Sequence, residues 1–254
     1  MKLNEVRAVI TGGASGLGLA VARHLSAAGG RVALLDVQEA PGRAAAQSLG
    51  AVPFVRCDVG AESEVTAAMR TAHEELGGLN VLVNCAGVVG AGRVLGKSGP
   101  MSAEFFARVI QINLIGTFLC DKAAAALMQH NSPGSDGERG LLIHTSSVAA
   151  YEGQIGQAAY AATKAAVAGM ALPIAREFAR LGIRCVAIAP GIFHTPMVDG
   201  MPAEVQASLA AQIPFPSRLG KPEEFAQLVA SVIEIQMLNG TTIRLDGAIR
   251  MQPK

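Results

Sequence analysis

Five consecutive residues, Tyr160-Ala161-Ala162-Thr163-Lys164, place a phenol and an ammonium four positions apart, with Ser147 upstream across a short loop. If the run from Ala158 to Leu181 is helical, side chains at i and i+4 share one face, so Tyr160 and Lys164 point the same way. A phenol titrates near ~10 and burial alone raises that value, so Tyr160 becomes a useful base near neutrality only beside a cation. Unit charges ~4 Å apart at an effective dielectric of ~20 attract by ~4 kcal/mol. At ~1.4 kcal/mol per pKa unit this carries the phenol most of the way to neutrality, before the cost of desolvating the lysine is subtracted. The pair equally suits a half-buried helix tyrosine and a solvated lysine. The elements that would have to present it decide between the two.

The first of those elements lie at the start of the chain. Val6-Arg7-Ala8-Val9-Ile10-Thr11 reads as a strand, Gly12-Gly13-Ala14-Ser15-Gly16-Leu17-Gly18 as a turn, and the stretch to Ala28-Gly29-Gly30 as a helix. Glycine lets the backbone turn tightly and approach a pyrophosphate, whose charge is met by unpaired N–H groups at the helix start. Ser15 adds a hydroxyl donor. Such turns also join strands to helices with nothing bound, and the next strand favours the nucleotide. Arg31-Val32-Ala33-Leu34-Leu35-Asp36 ends in a carboxylate about 20 residues past the turn, where a dinucleotide fold places its acceptor for the ribose hydroxyls. Asp36 would repel a 2′-phosphate and no arginine follows it directly, which favours NAD over NADP.

Strands and helices then alternate. Val52 to Cys57 reads as a strand ending in Asp58-Val59, and a polar helix from about Ala61 to Leu76 leads to Val81-Leu82-Val83-Asn84 and Cys85. A glycine-rich loop runs through Pro100. A long helix from about Ser102 to Gln129 is interrupted by Asn113, an amide set among Ile110, Ile112, Leu114 and Ile115. Asn131 to Gly140 is a polar loop. Leu141 to Ser146 is a fifth strand with Ser147 at its carboxyl end, and Ile183 to Ala189 a sixth, ending at Pro190-Gly191. Met197, Val198, Met201, Leu209, Ile213 and Phe215 give the segment at about 193–218 the composition of an apolar lid. A helix from Pro222 to about Glu234 precedes a seventh strand, Thr241 to Leu245. Crossovers of this length predict one α/β domain over 1–254, a Rossmann-type doubly wound parallel sheet of seven strands with helices on both faces. Its ligand crevice belongs at the carboxyl ends of the strands, where Asp58, Val59, Asn84, Cys85 and Ser147 sit. Small residues at Ala158, Ala162, Ala165, Ala166 and Gly169 would let another helix approach, from this chain or from a second subunit.

Composition sets the outer bounds. Of 254 residues half are hydrophobic and 16% charged, enough apolar surface for a sizeable core. The net charge is +1 with lysines and arginines scattered, so no basic stripe signals nucleic acid or an anionic membrane. No apolar run is expected to reach bilayer-spanning length, and the N-terminus runs straight into a strand pattern without a signal h-region, which predicts a cytoplasmic protein. Cys57, Cys85, Cys120 and Cys185 are far apart and read as buried thiols. The five histidines show no paired ligand spacing, so no metal site is expected.

Taken together, Thr11-Gly12-x-x-x-Gly16-x-Gly18, Asn84-Cys85-Ala86-Gly87, Asn113, Ser147, Tyr160-x-x-x-Lys164 and Pro190-Gly191 resemble the short-chain dehydrogenase/reductase family over nearly the whole chain. Gly153 to Tyr160, Leu172 to Arg176 and the tail from Phe215 through Met251 resemble the branch of that family acting on 3-hydroxyacyl-CoA esters, with Tyr151 as a departure where Phe is expected. The resemblance implies Ser15, Leu17, Asp36, Asp58, Val59 and Cys85 around the adenosine half of NAD, and Tyr160, Lys164, Phe193 and Thr195 near its nicotinamide half. It implies a homotetramer. It also implies roles: Tyr160 takes the alcohol proton, Lys164 lowers the phenol pKa, Ser147 hydrogen-bonds the substrate oxygen, Asn113 holds a water linking Lys164 to solvent, and Gln157 touches the substrate. The expected reaction is NAD-dependent interconversion of a 3-hydroxyacyl-CoA and a 3-oxoacyl-CoA. Its rivals are a relative acting on acyl carrier protein thioesters or hydroxysteroids, and a dinucleotide-binding scaffold without catalysis.

Overall fold

The computed structural model describes residues 1–97, 99–134, 136–200 and 202–253. Met201, read above as part of the lid, lies outside the described residues, and so does the Met197 side chain. Each central strand is a nearly continuous apolar run, as expected where both faces of a sheet are covered. β1 (Arg7–Thr11), β2 (Arg31–Asp36) and β3 (Phe54–Arg56) are separated by α1 (Gly16–Ala27) and α2 (Glu39–Ser48). α3 (Glu62–Leu76) leads to β4 (Val81–Asn84). A two-residue hairpin, β5 (Leu95–Gly96) and β6 (Gly99–Pro100), precedes α4 (Ala103–Ile110), and α5 (Gly116–Met128) precedes β7 (Gly140–Thr145). α6 (Ala158–Phe178), β8 (Ile183–Pro190), α7 (Pro196–Asp199), α8 (Ala203–Ala211), α9 (Pro222–Glu234) and β9 (Thr242–Leu245) complete the order.

The seven-stranded sheet runs β3-β2-β1-β4-β7-β8-β9 with every pairing parallel. Strand order reverses between β1 and β4, the switch point at which such sheets open a ligand crevice. Register brings the chemistry to one edge: Thr11 pairs with Asn84, and Asn84 with His144. Alternation along the strands sends Ile10, Leu34, Val83 and Ile143 to a core with α1 and α9, and Val9, Leu35, Leu82 and Leu142 to a core with α3, α5 and α6.

Four features differ from the sequence expectations or add to them. Helix α2 was not foreseen: Pro41 and Gly42 weaken its pattern, yet proline is tolerated in a first turn, and a Cβ at Gly42 would fall 2.0 Å from the Phe54 ring. The lid segment, expected from its apolar composition alone, carries two helices, α7 and α8. The helix interrupted by Asn113 is α4 and α5 joined through one π turn, Gln111–Ile115, the wide turn that often marks functional positions. Contrary to the expectation on run length, Ala103–Met128 and Ala158–Leu181 are both long and apolar enough to cross a membrane by length and composition. In the fold they carry Asn113, Asp121 and Lys164 inward against the sheet, all buried.

Candidate active site

β7 and α6 present the central groups. Ser147 follows the end of β7 and is 8% exposed; its hydroxyl accepts from the Ala149 N–H at 3.1 Å and stands close enough to the Tyr160 phenol to favour its anion. Four residues along α6 from Tyr160, Lys164 is 6% exposed. Its Nζ lies 5.7 Å from the Tyr160 ring centroid and donates to the Thr145 carbonyl at 2.7 Å. The helix thus sets phenol, amine and hydroxyl together at the mouth of the sheet.

The electrostatics correct one expectation. Burial raises the Tyr160 phenol above its ordinary value, and the Ser147 hydroxyl only partly offsets this. Burial also pushes the Lys164 amine down to about 8, against an opposing pull from Cys85. The physical reason is shared desolvation: an apolar pocket penalises both charged forms, and the amine sits over the ring with its short bond committed to a carbonyl. Lys164 does not by itself draw the phenol toward neutrality.

Asn113 is 1% exposed, and its side chain clamps two elements together. Its Oδ1 accepts from Val88 N–H at 2.8 Å, and its Nδ2 donates to the Val88 carbonyl at 2.8 Å and to Thr163 Oγ1 at 3.2 Å. These bonds engage both the oxygen and the nitrogen of the amide. The clamp holds the loop after β4 against α6 beside the amine: a Cβ built on Gly87 would lie 3.2 Å from Asn113 Oδ1 and 3.7 Å from Lys164 Nζ.

Across the crevice, β1 turns into α1 through Gly12 (φ +63°) and Gly16 (φ +52°), both left-handed conformations that favour glycine. A Cβ on Gly16 would stand 3.6 Å from Thr195 Cγ2, so the start of the lid faces the glycine turn. A Cβ on Gly18 would fall 2.3 Å from the Gly12 carbonyl oxygen. Ser15, the N-cap of α1, makes no side-chain capping bond, and Leu17 follows in the first turn. Asp36 is 8% exposed and its two oxygens accept from Ala14 N–H at 3.1 Å and Gln38 N–H at 3.0 Å, which fixes the carboxylate at the end of β2. This is the donor and acceptor set that a dinucleotide needs: free N–H groups and a hydroxyl for phosphates, and an oriented carboxylate for the ribose. The residues present fit NAD.

The remaining predicted positions divide. Asp58 Oδ1 accepts from Gly60 N–H at 2.9 Å, and Val59 packs where a Cβ on Gly116 would come within 2.8 Å of it. Cys85 is half-buried at the end of β4, where Thr145 Oγ1 donates to its Sγ at 3.5 Å, and burial pushes its thiol up to about 11. The Phe193 ring belongs to the core and lies against Gly220, so what it offers the crevice is main chain. Gln157 spends its amide on the loop, accepting from Gln154 N–H at 3.0 Å. No group of three or more metal-ligating side chains occurs among the described residues.

Sequence reasoning missed three supporting hydroxyl and carbonyl groups. Thr11 Oγ1 accepts from the Cys85 and Ala86 N–H groups at 3.2 and 3.1 Å, joining β1 to the crevice side of β4. Thr163 Oγ1 donates to the Tyr160 carbonyl at 2.7 Å and so links the phenol's own turn to Asn113. Thr145 was visible only as a strand residue; nothing in an i, i+4 spacing reveals which carbonyl will hold the amine.

A family model described as short chain dehydrogenase matches residues 6–206. The chain is 51% identical to a bovine protein named 3-hydroxyacyl-CoA dehydrogenase type-2, covering 97% of this chain and 95% of that one. It is 49% identical to the Drosophila melanogaster protein of the same name, over 96% and 97%. Its fold is similar to the crystal structure of 3-hydroxyacyl-CoA dehydrogenase type-2 from Mycobacterium avium, with TM-score 0.93, 42% identity, and 97% and 96% coverage. The chain therefore belongs to the short chain dehydrogenase family and is an oxidoreductase.

Proposed function

We propose that this protein is an NAD-dependent dehydrogenase that interconverts a 3-hydroxyacyl-CoA and a 3-oxoacyl-CoA of short or branched chain. The observation that carries the proposal is the convergence of Ser147, Tyr160 and Lys164 beyond β7, at the same edge of the parallel sheet as the glycine turn after β1 and the oriented carboxylate of Asp36. Full-length similarity to proteins named for that activity supports the substrate class. A homotetramer and a cytoplasmic location belong to the same reading. The small-residue stripe on α6 supports the first, since Ala162, Ala165 and Gly169 stay exposed and, beyond the neighbouring turns of its own helix, no atom of the described residues comes within 4 Å of a Cβ on Gly169.

Bound NAD supplies the acceptor for the hydride. Ser147 holds the substrate oxygen as it gains carbonyl character, Tyr160 takes the hydroxyl proton, and Lys164 would hold the nicotinamide ribose. Asn113 keeps the loop after β4 against α6, so the amine and the phenol stay in register. The α7–α8 segment closes over the apolar part of the substrate, with Val198 and Ile213 buried beneath it.

The substrate class is tested by comparing kcat/KM for 3-hydroxyacyl-CoA esters of increasing chain length, the corresponding acyl carrier protein thioesters and hydroxysteroids. Coenzyme A esters are expected to lead; a clear preference for either other class overturns the assignment of carrier. Nucleotide choice has its own prediction. Asp36→Ser removes a charged acceptor, so kcat/KM with NAD is expected to fall by about 10- to 100-fold while the value with NADP rises. An unchanged ratio of the two would show that Asp36 does not select the nucleotide.

The pH profile follows from the two shifted groups. Alcohol oxidation needs the phenolate, so log(kcat/KM) for NAD, which reports the free protein, rises with pH. Lys164 loses its proton near pH 8, so the rise is expected to weaken above that pH. In Lys164→Met the rate is lower throughout and the break near 8 is absent. A break that survives this substitution belongs to another group.

A further inference from the structure

Beneath the site lies a cluster of ionisable side chains with no part in the chemistry above. Asn84 and His144 are register partners on the adjacent central strands β4 and β7, so their side chains leave the sheet on the same face. Helix α5 places Asp121 opposite both. One carboxylate oxygen, Oδ1, accepts from Asn84 Nδ2 at 2.9 Å, and the other, Oδ2, lies 2.8 Å from His144 Nε2. The side chains of Asp121 and His144 are 2% and 0% exposed.

The surroundings of His144 select its charge. Nε2 faces the carboxylate, and Nδ1 faces the Val167 carbonyl of α6 at 3.4 Å. A neutral imidazole has a single N–H and would turn a lone pair toward one of these oxygens; an imidazolium donates to both. The third neighbour, Cys185 Sγ on β8, stands 3.5 Å from Nε2 and 3.9 Å from Nδ1 and is a weak donor. Burial pulls the His144 pKa down, but Asp121 and Cys185 raise it, and the balance stands well above the ordinary imidazole value. Lys164, the nearby cation of α6, is tied to the carbonyl of the next residue along β7, Thr145. A second buried thiol, Cys120, adjoins Asp121 on α5.

The rung that this carboxylate grips is the last one before the site. Asn84 immediately precedes Cys85, and His144 immediately precedes Thr145, whose carbonyl holds Lys164 Nζ. We infer that Asp121 and His144 form a positioning device: a charged carboxylate fork pins the final rung between β4 and β7 and thereby fixes where the Thr145 carbonyl holds the Lys164 amine. Helix α5 thus reaches the reaction through two strands without touching a reactant. The inference rests on the reading of Lys164 proposed above.

The test has a structural arm and a kinetic arm. In the unmodified protein, nitrogen-15 NMR at pH 8 is expected to find both ring nitrogens of His144 protonated; a single neutral tautomer overturns the fork. In Asp121→Asn, kcat is expected to fall about 10- to 100-fold, the scale of a small misplacement of a reacting group, with the break in the pH profile displaced from its original position. A variant with lower thermal stability but an unmoved break would show a merely structural role and overturn the inference. Should Asp121→Asn fail to fold, Asp121→Leu/His144→Leu removes both charges together, which buried pairs tolerate better than losing one. The folded double variant is expected to show the displaced break, and native kcat with a native break overturns the inference. The NMR arm needs no substrate, so a failure of the proposed reaction stays distinguishable from a failure of the fork.

Discussion

Replacing Tyr160 by Phe is expected to lower kcat by about 1,000- to 10,000-fold, at the upper end of what one general acid–base group contributes. NADH affinity, followed by fluorescence titration, is expected to stay within a few-fold of the unmodified value. The substitution removes one oxygen and keeps the ring on which Lys164 Nζ rests at 5.7 Å from the centroid. The Thr163 bond to the Tyr160 carbonyl at 2.7 Å is main-chain and survives, so α6 keeps its geometry. What disappears is the phenolic hydroxyl that stands beside Ser147 at the crevice mouth. Substantial turnover in this variant, with NADH still bound, would remove Tyr160 from the role of base.

Gly18→Ala is expected to be nearly as damaging by a different route. The new methyl would meet the Gly12 carbonyl oxygen at 2.3 Å and its carbon at 2.9 Å, with Cys85 Cβ at 3.3 Å. The first two neighbours are backbone, so no side-chain rotation relieves the clash and the turn must open. Overpacking of this kind costs about 1–3 kcal/mol, occasionally more, which lowers the melting temperature. An opened turn also spreads the N–H groups that would surround a pyrophosphate, so NADH affinity is expected to fall about 100-fold or more, equivalent to at least ~2.7 kcal/mol. Thermal denaturation and NADH titration on the same sample check both effects. Unchanged affinity in a folded Gly18→Ala protein would show that the nucleotide does not lie on this turn.

Strand placement was legible because burial on both faces writes each central strand as an apolar run. Arg31–Asp36 and Ile183–Pro190 are apolar along nearly their whole length and buried accordingly. Alternation with helix-length segments then dictated a parallel, doubly wound sheet. Helix α2 escaped because Pro41 and Gly42 break its pattern, while the reason for Gly42, the Phe54 ring beside it, lies in another element. The Tyr160 and Lys164 spacing disclosed a shared face. It did not disclose that burial would push both groups toward their neutral forms, since desolvation depends on what packs above the helix. Asn113 announced itself as an amide among isoleucines, but its partners at Val88 and Thr163 are 25 and 50 residues away. The Asp121 fork was invisible for the same reason: only strand register sets Asn84 and His144 side by side.

The central claim is that these groups carry out NAD-linked redox chemistry at the third carbon of an acyl-CoA. Its most direct test is the absorbance of NADH at neutral pH when acetoacetyl-CoA is added to the purified protein. The predicted result is saturable loss of NADH, dependent on acetoacetyl-CoA and absent in Tyr160→Phe. NADH that binds but is not consumed, with acetoacetyl-CoA or with any 3-oxoacyl-CoA, would contradict the account and leave a dinucleotide-binding scaffold in place of an enzyme.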